Sequence, residues 1–299
     1  MTAYTKIGGE WKEFDPNVKV GDSWYPVDNG YVKVGGVWKE FYSSFSPLFV
    51  AVSADFSDAA ATSPDGITWT ARTLPSSERW GNVTYGNGTF VAVGGYIVSL
   101  GFFSFGRGSD AAASSTDGIT WTASTMPSTE VWTSVTYGNG TFVAVSDGGP
   151  AATSPDGITW TARTLPSSQD WFSVTYGNGT FVAVSDGGPA ATSTDGITWT
   201  ARTLPSSQNW LSVTYGNGTF VVVAVASDAA ASSTDGITWT ARTLPSSSNW
   251  YSVTYGNGTF VAVERASDAA ASSPDGIAWT ARTLPSSETW QSVTSNDWQ

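Results

Sequence analysis

Residues 154–192 read SPDGITWTARTLPSSQDWFSVTYGNGTFVAVSDGGPAAT, and nearly the same text starts again at Ser193. An Asp-Gly pair marks each copy, and its aspartate recurs at successive gaps of 52, 39, 39, 40 and 40 residues, at Asp65, Asp117, Asp156, Asp195, Asp235 and Asp275. A fixed period of about 40 residues indicates one supersecondary unit that is used repeatedly. The positions that are identical in all copies therefore bear on the fold, and the positions that differ between copies bear on the function.

Each copy contains four short runs that favour extended structure, which we call strands a to d. In one copy they are 171–176, 180–184, 190–193 and 197–203. Strands a and b are joined by Asn178-Gly179, which is typical of a tight hairpin turn. Four antiparallel strands every 40 residues or so is the period of a β-propeller blade. We predict an all-β propeller and exclude a helical solenoid, because no hydrophobic period of 3.6 residues is present.

The chain enters and leaves the repeat at different strands. The first copy begins with strand b at 49–52, and the last ends with strand a at 290–294. Pairing of these two segments would complete the first blade, close the ring and remove exposed sheet edges. The prediction is a closed six-bladed propeller, with blades at 49–75 plus 290–294, 80–127, 132–166, 171–205, 210–245 and 250–285.

The segment Ser-x-Asp-Gly-x-Thr-Trp resembles the Asp-box of sialidase-like propellers, although it is one residue shorter than the usual Ser-x-Asp-x-Gly-x-Thr-Trp. Five copies match throughout, and Ala278 replaces the threonine in the sixth. The resemblance implies a structural turn between strands c and d. In it the aspartate holds the turn and the tryptophan packs between blades, so the resemblance gives the box no catalytic role.

Residues 1–44 differ in composition from residues 45–299, and we predict that they are a separate domain. All five lysines lie within the first 40 residues, which places a boundary near 43–47. Three patterns of β-branched residues, a Gly-Gly or Gly-Asp pair and an aromatic residue predict three hairpins. Hairpins this short bury little surface alone, so we expect the module to dock onto another surface.

The segment VKVGGVWKEF at 32–41 resembles N-terminal segments of bacteriophage virion proteins, especially tail and fibre components. The resemblance implies attachment to other virion proteins through residues 1–44, with Trp11, Trp24 and Trp38 as the candidate contacts. It also implies an extracellular particle as the location. The alternative is a small β-module with no attachment role.

Charge and composition exclude several classes of function. The net charge is −12, which disfavours nucleic acid and anionic membranes, and no apolar run is long enough to cross a bilayer. The N-terminus lacks the basic and apolar regions of a signal peptide. There is no Cys and no His, so we expect no disulfide, no metal and no cofactor. Most arginines are copies at one blade position rather than a cluster, which disfavours a glycosidase of the sialidase type. The absence of Cys and His also removes thiol nucleophiles and histidine bases, so we expect no enzymatic activity.

Strand direction alternates within a blade, so the a–b and c–d turns share one face and the b–c and d–a connections share the other. The a–b turn is Tyr-Gly-Asn-Gly-Thr in all five internal copies, whereas the opposite face varies. We predict that the varying face binds a ligand or receptor; the alternative is relaxed constraint in exposed loops. Its candidate contacts in the d–a links are Glu78, Arg79, Glu130, Gln169, Asp170, Gln208, Asn209, Asn249 and Glu288.

Two further sets of residues belong to this prediction. One b–c connection, 94–108, is much longer than the others, and we expect an aromatic contact loop or a loop that folds back over the disk. Its candidate residues are Tyr96, Phe102, Phe103, Phe105 and Arg107. The tryptophans that start strand a either stack on a sugar ring or pack between blades; the candidates are Trp171, Trp210 and Trp250.

These observations predict a virion structural protein of the tail or fibre type, whose propeller contacts a host receptor or a neighbouring subunit. We expect a homo-oligomeric assembly. A multivalent lectin with several weak sites is the first alternative, in which affinity would come from repetition. A capsid decoration or scaffold subunit without a ligand is the second.

Overall fold

The computed structural model describes residues 3–7, 10–14, 17–20, 23–26, 29–34, 37–43, 49–100, 103–290 and 292–293, with side chains in 49–95, 108–288, 290 and 292–293. The chain divides into two compact units, Met1–Leu48 and Phe49–Gln299. Every regular element in the described residues is a β-strand, so no helix among them could span a membrane.

The first unit contains three antiparallel hairpins. Their strands are β1 (Ala3–Ile7), β2 (Glu10–Phe14), β3 (Asn17–Val20), β4 (Ser23–Pro26), β5 (Asn29–Val34) and β6 (Val37–Ser43). The pairs that end each ladder are Ile7 with Glu10, Val20 with Ser23 and Val34 with Val37. Each pair flanks two residues, which is the length of the tightest hairpin connections.

The second unit contains six consecutive antiparallel sheets of three or four strands, which we call blades 1 to 6. Blade 1 consists of β7 (Phe49–Val52), β8 (Ser57–Ser63) and β9 (Thr70–Glu78). Blade 2 begins with β10 (Trp80–Gly86) and β11 (Thr89–Gly94). A separate hairpin of β12 (Tyr96–Leu100) and β13 (Phe103–Arg107) follows, and then β14 (Ser109–Ser115) and β15 (Thr122–Glu130) complete blade 2.

The remaining blades follow the same order. Blade 3 consists of β16 (Trp132–Gly138), β17 (Thr141–Ser146), β18 (Pro150–Ser154) and β19 (Thr161–Thr164). Blade 4 consists of β20 (Trp171–Gly177), β21 (Thr180–Ser185), β22 (Pro189–Ser193) and β23 (Thr200–Thr203). Blade 5 consists of β24 (Trp210–Gly216), β25 (Thr219–Ala224), β26 (Ser227–Ser233) and β27 (Thr240–Ser248). Blade 6 consists of β28 (Trp250–Gly256), β29 (Thr259–Ser273), which spans the b and c positions, and β30 (Thr280–Thr289).

The core lies between the blades rather than within them. Strand b reads Thr-Phe-Val-Ala-Val in blades 3 and 4 and Thr-Phe-Val-Val-Val in blade 5. In these three blades every residue after the threonine is buried, because the sheets pack face to face. Five apolar clusters each join two neighbouring blades. Between blades 3 and 4, Val143, Val145 and Leu165 pack against Trp171 and Phe181. Burying such side chains contributes roughly 1.5–3 kcal/mol each.

The a–b turns repeat without change because each residue has a structural task. Asn178 and Gly179 have φ values of 47° and 76°, a conformation that Asn and Gly adopt most readily and that matches the strand twist. The equivalent Asn139 donates from Nδ2 to the carbonyl of Thr194 in the next blade, at 3.1 Å. The turn therefore shapes the hairpin, and in blade 3 it also contacts the neighbouring blade.

The Ser-x-Asp-Gly turn between strands c and d closes on its own hydrogen bonds. Ser154 Oγ donates to Asp156 Oδ1 at 2.9 Å and accepts from the amide of Gly157 at 2.8 Å. The same carboxylate oxygen accepts from the amides of Ile158 and Thr159, and the hydrogen bond from Thr159 is the main cause that lowers the pKa of Asp156. A side chain at Gly157 would collide with Val91 of the preceding blade. The turn is thus both a local cap and a packing surface.

The two ends of the second unit differ from its interior. Among the described residues blade 1 has no strand a, and Ile67 in its c–d turn is 83% exposed, against 45–51% for the five equivalent isoleucines. At the other end, the amide of Val293 donates to Ser252 Oγ of blade 6 at 3.2 Å. The same bond joins successive blades in the interior, as from Val174 to Ser134. Val293 therefore lies on blade 6 where the valine of a following strand a would lie.

Candidate functional site

The connections that vary between copies lie at one end of the blades. The amide of the residue that follows strand b donates to the carbonyl of the residue before the strand a tryptophan, as from Asp186 to Asp170 at 3.1 Å. The same bond joins Gly95 to Arg79, Asp147 to Val131, Val225 to Asn209 and Arg265 to Asn249. The b–c connections and d–a links therefore form one surface, which we call the variable face.

The variable face contains two kinds of connection. In blades 1, 2, 5 and 6, strand c starts with Ser-Asp and strand d extends far enough to pair with that serine, as Ser57 pairs with Glu78. In blades 3 and 4 a Gly-Gly pair precedes strand c, which starts with a proline, and strand d ends at Thr164 and Thr203. Of the candidates, Glu78, Glu130 and Glu288 thus lie at the ends of extended strands.

A cleft of about 400 Å³ opens on the variable face between blades 1 and 2. Its walls come from the b–c connection of blade 1, the first two d–a links and the base of the β12–β13 hairpin. The lining residues are Phe56, Ser77, Glu78, Arg79, Gly95, Gly108, Ser109, Asp110 and Thr129. Two predicted contact residues, Glu78 and Arg79, are therefore brought together with residues from three other segments.

Charged groups in the cleft are held by specific contacts. Ser109 Oγ donates to Glu78 Oε2 at 3.2 Å, across the boundary between the two blades. The guanidinium carbon of Arg79 lies 4.3 Å from the centroid of the Phe56 ring, a cation–π geometry. The cleft thus presents two carboxylates, one guanidinium and several hydroxyls around an aromatic ring.

Phe56 has an unusual backbone conformation for an aromatic residue. Its φ is 36°, and its side chain is 47% exposed. The equivalent residues in blades 5 and 6 are Ala226 and Ala266, also with positive φ. A bulky residue in this region of φ costs roughly 1–3 kcal/mol, and such strain concentrates at functional sites. Blade 1 therefore has an exposed aromatic ring where blades 5 and 6 have only a methyl group.

Glycine is required where the β12–β13 hairpin leaves and rejoins the blade. Gly95 has a φ of 132°, and a Cβ there would lie 2.9 Å from the Cα of Val131. A Cβ on Gly108 would lie 3.0 Å from the carbonyl of Thr129. Both ends of the hairpin approach the second d–a link this closely only because they lack side chains. The glycines thus fix one wall of the cleft.

A second polar feature lies between blades 3 and 4. A hydrogen bond with Asp170 raises the pKa of Asp147 to about 7, with further contributions from burial and from the charges of Asp170 and Glu130. Asp147 follows strand b of blade 3, and Asp170 precedes strand a of blade 4. The candidate Asp170 is thus hydrogen-bonded to Asp147, and the charge of the candidate Glu130 also acts on the Asp147 carboxyl. Among the described residues, no group of three or more acidic side chains is arranged to hold a metal ion.

The prediction that Trp171, Trp210 and Trp250 contact a ligand is wrong. All three are 0–1% exposed and belong to the clusters between blades. Their indole nitrogens donate to backbone carbonyls four residues earlier, as from Trp171 to Ser167 at 3.1 Å. The alternative role, packing between blades, describes them. No sugar ring can stack on a side chain without free surface.

The remaining candidates in the d–a links lie on the surface as separate side chains. Gln169, Asn209, Asn249 and Glu288 are exposed, and Gln208 is half-buried. The side chains of Tyr96, Phe103, Phe105 and Arg107 lie outside the described residues, although their backbones form β12 and β13 instead of an irregular loop. Phe102 lies outside the described residues altogether. The backbones of Trp11, Trp24 and Trp38 belong to β2, β4 and β6. The side chains of these three residues also lie outside the part of the chain that the structure describes.

Phe56, Asp110 and Asp147 lie on this face but were not among the predicted contacts, and neither were Ser77, Ser109 and Thr129 of the cleft. Phe56 could have been found, because it replaces the small residue before the Ser-Asp pair in the other blades. Asp110 could not, because the same Ser-Asp pair recurs at Asp58, Asp228 and Asp268. Asp110 differs from the three equivalent aspartates only in that it lines the cleft.

Comparisons with known proteins agree with this architecture. The DUF6242 beta propeller domain model matches residues 152–243. Among curated protein sequences, none matches the chain. A streptogramin B lyase structure is similar with a TM-score of 0.69 at 10% identity, covering 83% of this chain and 91% of that one. The second unit is therefore a β-propeller.

Two further solved structures have the same kind of fold. Virginiamycin B lyase from Staphylococcus aureus is similar with a TM-score of 0.67 at 13% identity, covering 80% of this chain and 85% of that one. YCF48 from Cyanidioschyzon merolae is similar with a TM-score of 0.53 at 16% identity, covering 79% of this chain and 85% of that one. At these identities the likeness shows the fold alone.

These structures correct the expectation that the chain has no enzymatic activity. We based that expectation on the absence of Cys and His and on the repeated arginines. Two of the similar propellers are lyases, so this architecture does support catalysis. Residue types and fold therefore do not exclude an enzyme.

Proposed function

We propose that the propeller is a binding module whose variable face contacts a receptor or ligand. The observation that carries this proposal is the cleft between blades 1 and 2, where Glu78 and Arg79 of a varying link meet Phe56. The opposite face repeats the same turns because its residues hold the blades. When the turns on one face are the same in every copy and the connections on the other face differ, the face that differs is the better candidate for binding.

A blocking experiment tests which face binds. The chain has no cysteine, so Ser77→Cys in the cleft and Ile197→Cys in a c–d turn each give one labelling site. Each variant, fluorescently labelled at its N-terminus, is coupled to a maleimide polyethylene glycol and added to a panel of bacterial strains in flow cytometry. We expect the polymer at residue 77 to abolish binding and the polymer at 197 to leave it unchanged; the reverse would refute the proposal. The uncoupled variants are the controls.

We further propose that residues 1–44 attach the propeller to a larger assembly, following their resemblance to virion tail and fibre segments. On this proposal the protein is a surface component of an extracellular particle, with other virion proteins as partners and in several copies. A chain lacking residues 1–44 should leave the propeller folded but be absent from purified particles. Particles that incorporate the truncated chain as well as the full chain would exclude the attachment role.

We also propose that the six blades form a closed ring and that the Ser-x-Asp-Gly turns are shortened Asp-boxes. Five inter-blade bonds of one kind are present, from Val135 to Asn82, Val174 to Ser134, Val213 to Ser173, Val253 to Ser212 and Val293 to Ser252. A sixth bond, from Val83 to Ser292, would complete the circle.

Ring closure has a direct chemical test. Ser173 lies opposite Val184 in blade 4, so Ser292 should lie opposite Val52 in a closed ring. The double variant Val52→Cys and Ser292→Cys should form an intramolecular disulfide on oxidation and retain the mass of a monomer. Disulfide-linked dimers, or free thiols after oxidation, would show that the two ends do not meet.

A further inference from the structure

We propose that the cleft between blades 1 and 2 is a single binding site for a neutral saccharide, an inference that rests on the proposed binding face. The repeated sequence suggests several equivalent weak sites, one for each d–a link. The structure favours one site instead, because the tryptophans shared by the links are buried and the distinctive residues meet at one boundary. Arg79 has no counterpart in the other links, which have Val, Asp, Asn, Asn and Thr at that position.

The hydrogen-bonding groups of the cleft fit a ligand that is rich in hydroxyls. Glu78 and Asp110 contribute carboxylate oxygens, which accept hydrogen bonds from adjacent hydroxyls. Ser77, Ser109 and Thr129 contribute hydroxyls that both donate and accept. Glu78 is already oriented by Ser109, so one acceptor is in place before a ligand arrives. A mostly polar lining offers little to an apolar ligand.

The charges of the cleft favour a neutral ligand over an acidic one. Two carboxylates and one guanidinium leave the lining with a net negative charge, in a chain of net charge −12. An acidic sugar would therefore be repelled by Glu78 and Asp110. A neutral sugar avoids this repulsion and can form hydrogen bonds with the carboxylates, the guanidinium and the hydroxyls.

An aromatic ring completes the recognition chemistry. Phe56 is 47% exposed, and Arg79 holds the ring by its guanidinium at 4.3 Å. The apolar face of a pyranose ring, which consists of C–H groups, packs well on such a surface. The strained backbone of Phe56 presents the ring at the cleft, where blades 5 and 6 have alanine. This gives the cleft an apolar platform among polar groups.

The test uses the full chain with neutral, acidic and amino saccharides on an array, followed by calorimetric titration of the best ligand. Asp110→Asn and Glu78→Gln should each weaken binding by about tenfold or more, because each keeps its shape and loses an anionic acceptor. The matched control is Asp228→Asn, which alters the same Ser-Asp pair in blade 5. It should change the affinity by less than about twofold, since Asp228 does not line the cleft.

Several outcomes would overturn the inference: stronger binding of acidic or amino saccharides, equal losses in Asp110→Asn and Asp228→Asn, or no saccharide bound. Asp110 is exposed, so its variant retains the fold, and thermal unfolding checks Glu78→Gln. The blocking experiment separates the two proposals. If the polymer at residue 77 blocks cell binding while no saccharide binds, the binding face stands and the saccharide inference is wrong. If that polymer also has no effect, both are wrong.

Discussion

Replacing Asp170 by Asn should change how the stability of the propeller depends on pH. The hydrogen bond with Asp170 is the main cause that raises the pKa of Asp147 from 3.8 to about 7. Because the folded-state pKa lies above the unfolded value, the pair stabilises the fold fully below pH 3.8. This contribution is lost as the pH rises through about 7, where both carboxyls become charged.

The size of the effect follows from the shift. A rise from 3.8 to about 7 would correspond to about 4 kcal/mol for a fully buried group. Asp147 is only half-buried, so screening by water and salt reduces the expected contribution to about 1 kcal/mol. Asp170→Asn keeps a hydrogen-bonding partner and removes its charge, while the smaller effect of Glu130 remains. The variant should therefore be about 1 kcal/mol more stable than the wild type at pH 8 and nearly equal at pH 4.

Blade 4 contains a natural control for this experiment. Asp186 occupies the position of Asp147 in an identical Ser-Asp-Gly-Gly-Pro connection, but the next link has Asn209 instead of an aspartate. Asn209→Asp should therefore create a second carboxylate pair and lower the stability at pH 8 by about 1 kcal/mol. Thermal unfolding from pH 4 to 9 measures both variants, with Tm changes of about 2–4 °C. Parallel pH profiles for wild type and Asp170→Asn would refute the reasoning.

Three further predictions concern the scaffold. Trp210→Ala should destabilise the propeller by about 3–5 kcal/mol in chemical denaturation, since it empties the site of a buried indole, whereas Ile197→Ala should stay within about 0.5 kcal/mol. Ser193→Ala should cost about 1–3 kcal/mol, because the amide of Gly196 loses its acceptor in a buried turn. Backbone hydrogen bonds lower the pKa of Asp195, so its stabilising contribution should be lost as the pH falls below 3.8, and Asp195→Asn should weaken this acid sensitivity in thermal scans.

The sequence predicted the scaffold well because each scaffold residue acts within its own repeat or on its neighbour. Asn178-Gly179 predicts its own turn from local conformation, and the 40-residue period predicts the blade. These features need no knowledge of distant contacts. The pairing of 290–294 with strand b of blade 1 stays a prediction, because the sheet of blade 1 contains only β7, β8 and β9 among the described residues.

The candidate site was harder to predict because it combines segments that the repeat separates. Ser109 reaches Glu78 across 31 positions of the chain, and nothing in either segment indicates the pairing. The roles of Asp147 and Asp170 depend on how the Gly-Gly-Pro connection shortens strand d in blade 3. The strand a tryptophans were difficult for another reason, because tryptophan is a common residue both in sugar-binding sites and in protein cores. Only their burial in the structure decided between these two roles.

Hydrogen–deuterium exchange tests the central claim, that the variable face does the binding, most directly. The chain would be compared alone and with surface polysaccharide from a strain that it binds. We predict slower exchange at 77–80 and 108–111, which border the cleft, and no change in the a–b and c–d turns. Protection confined to those turns, such as 177–180 and 194–197, would contradict the account, because it would place the contact on the face that the repeat keeps constant.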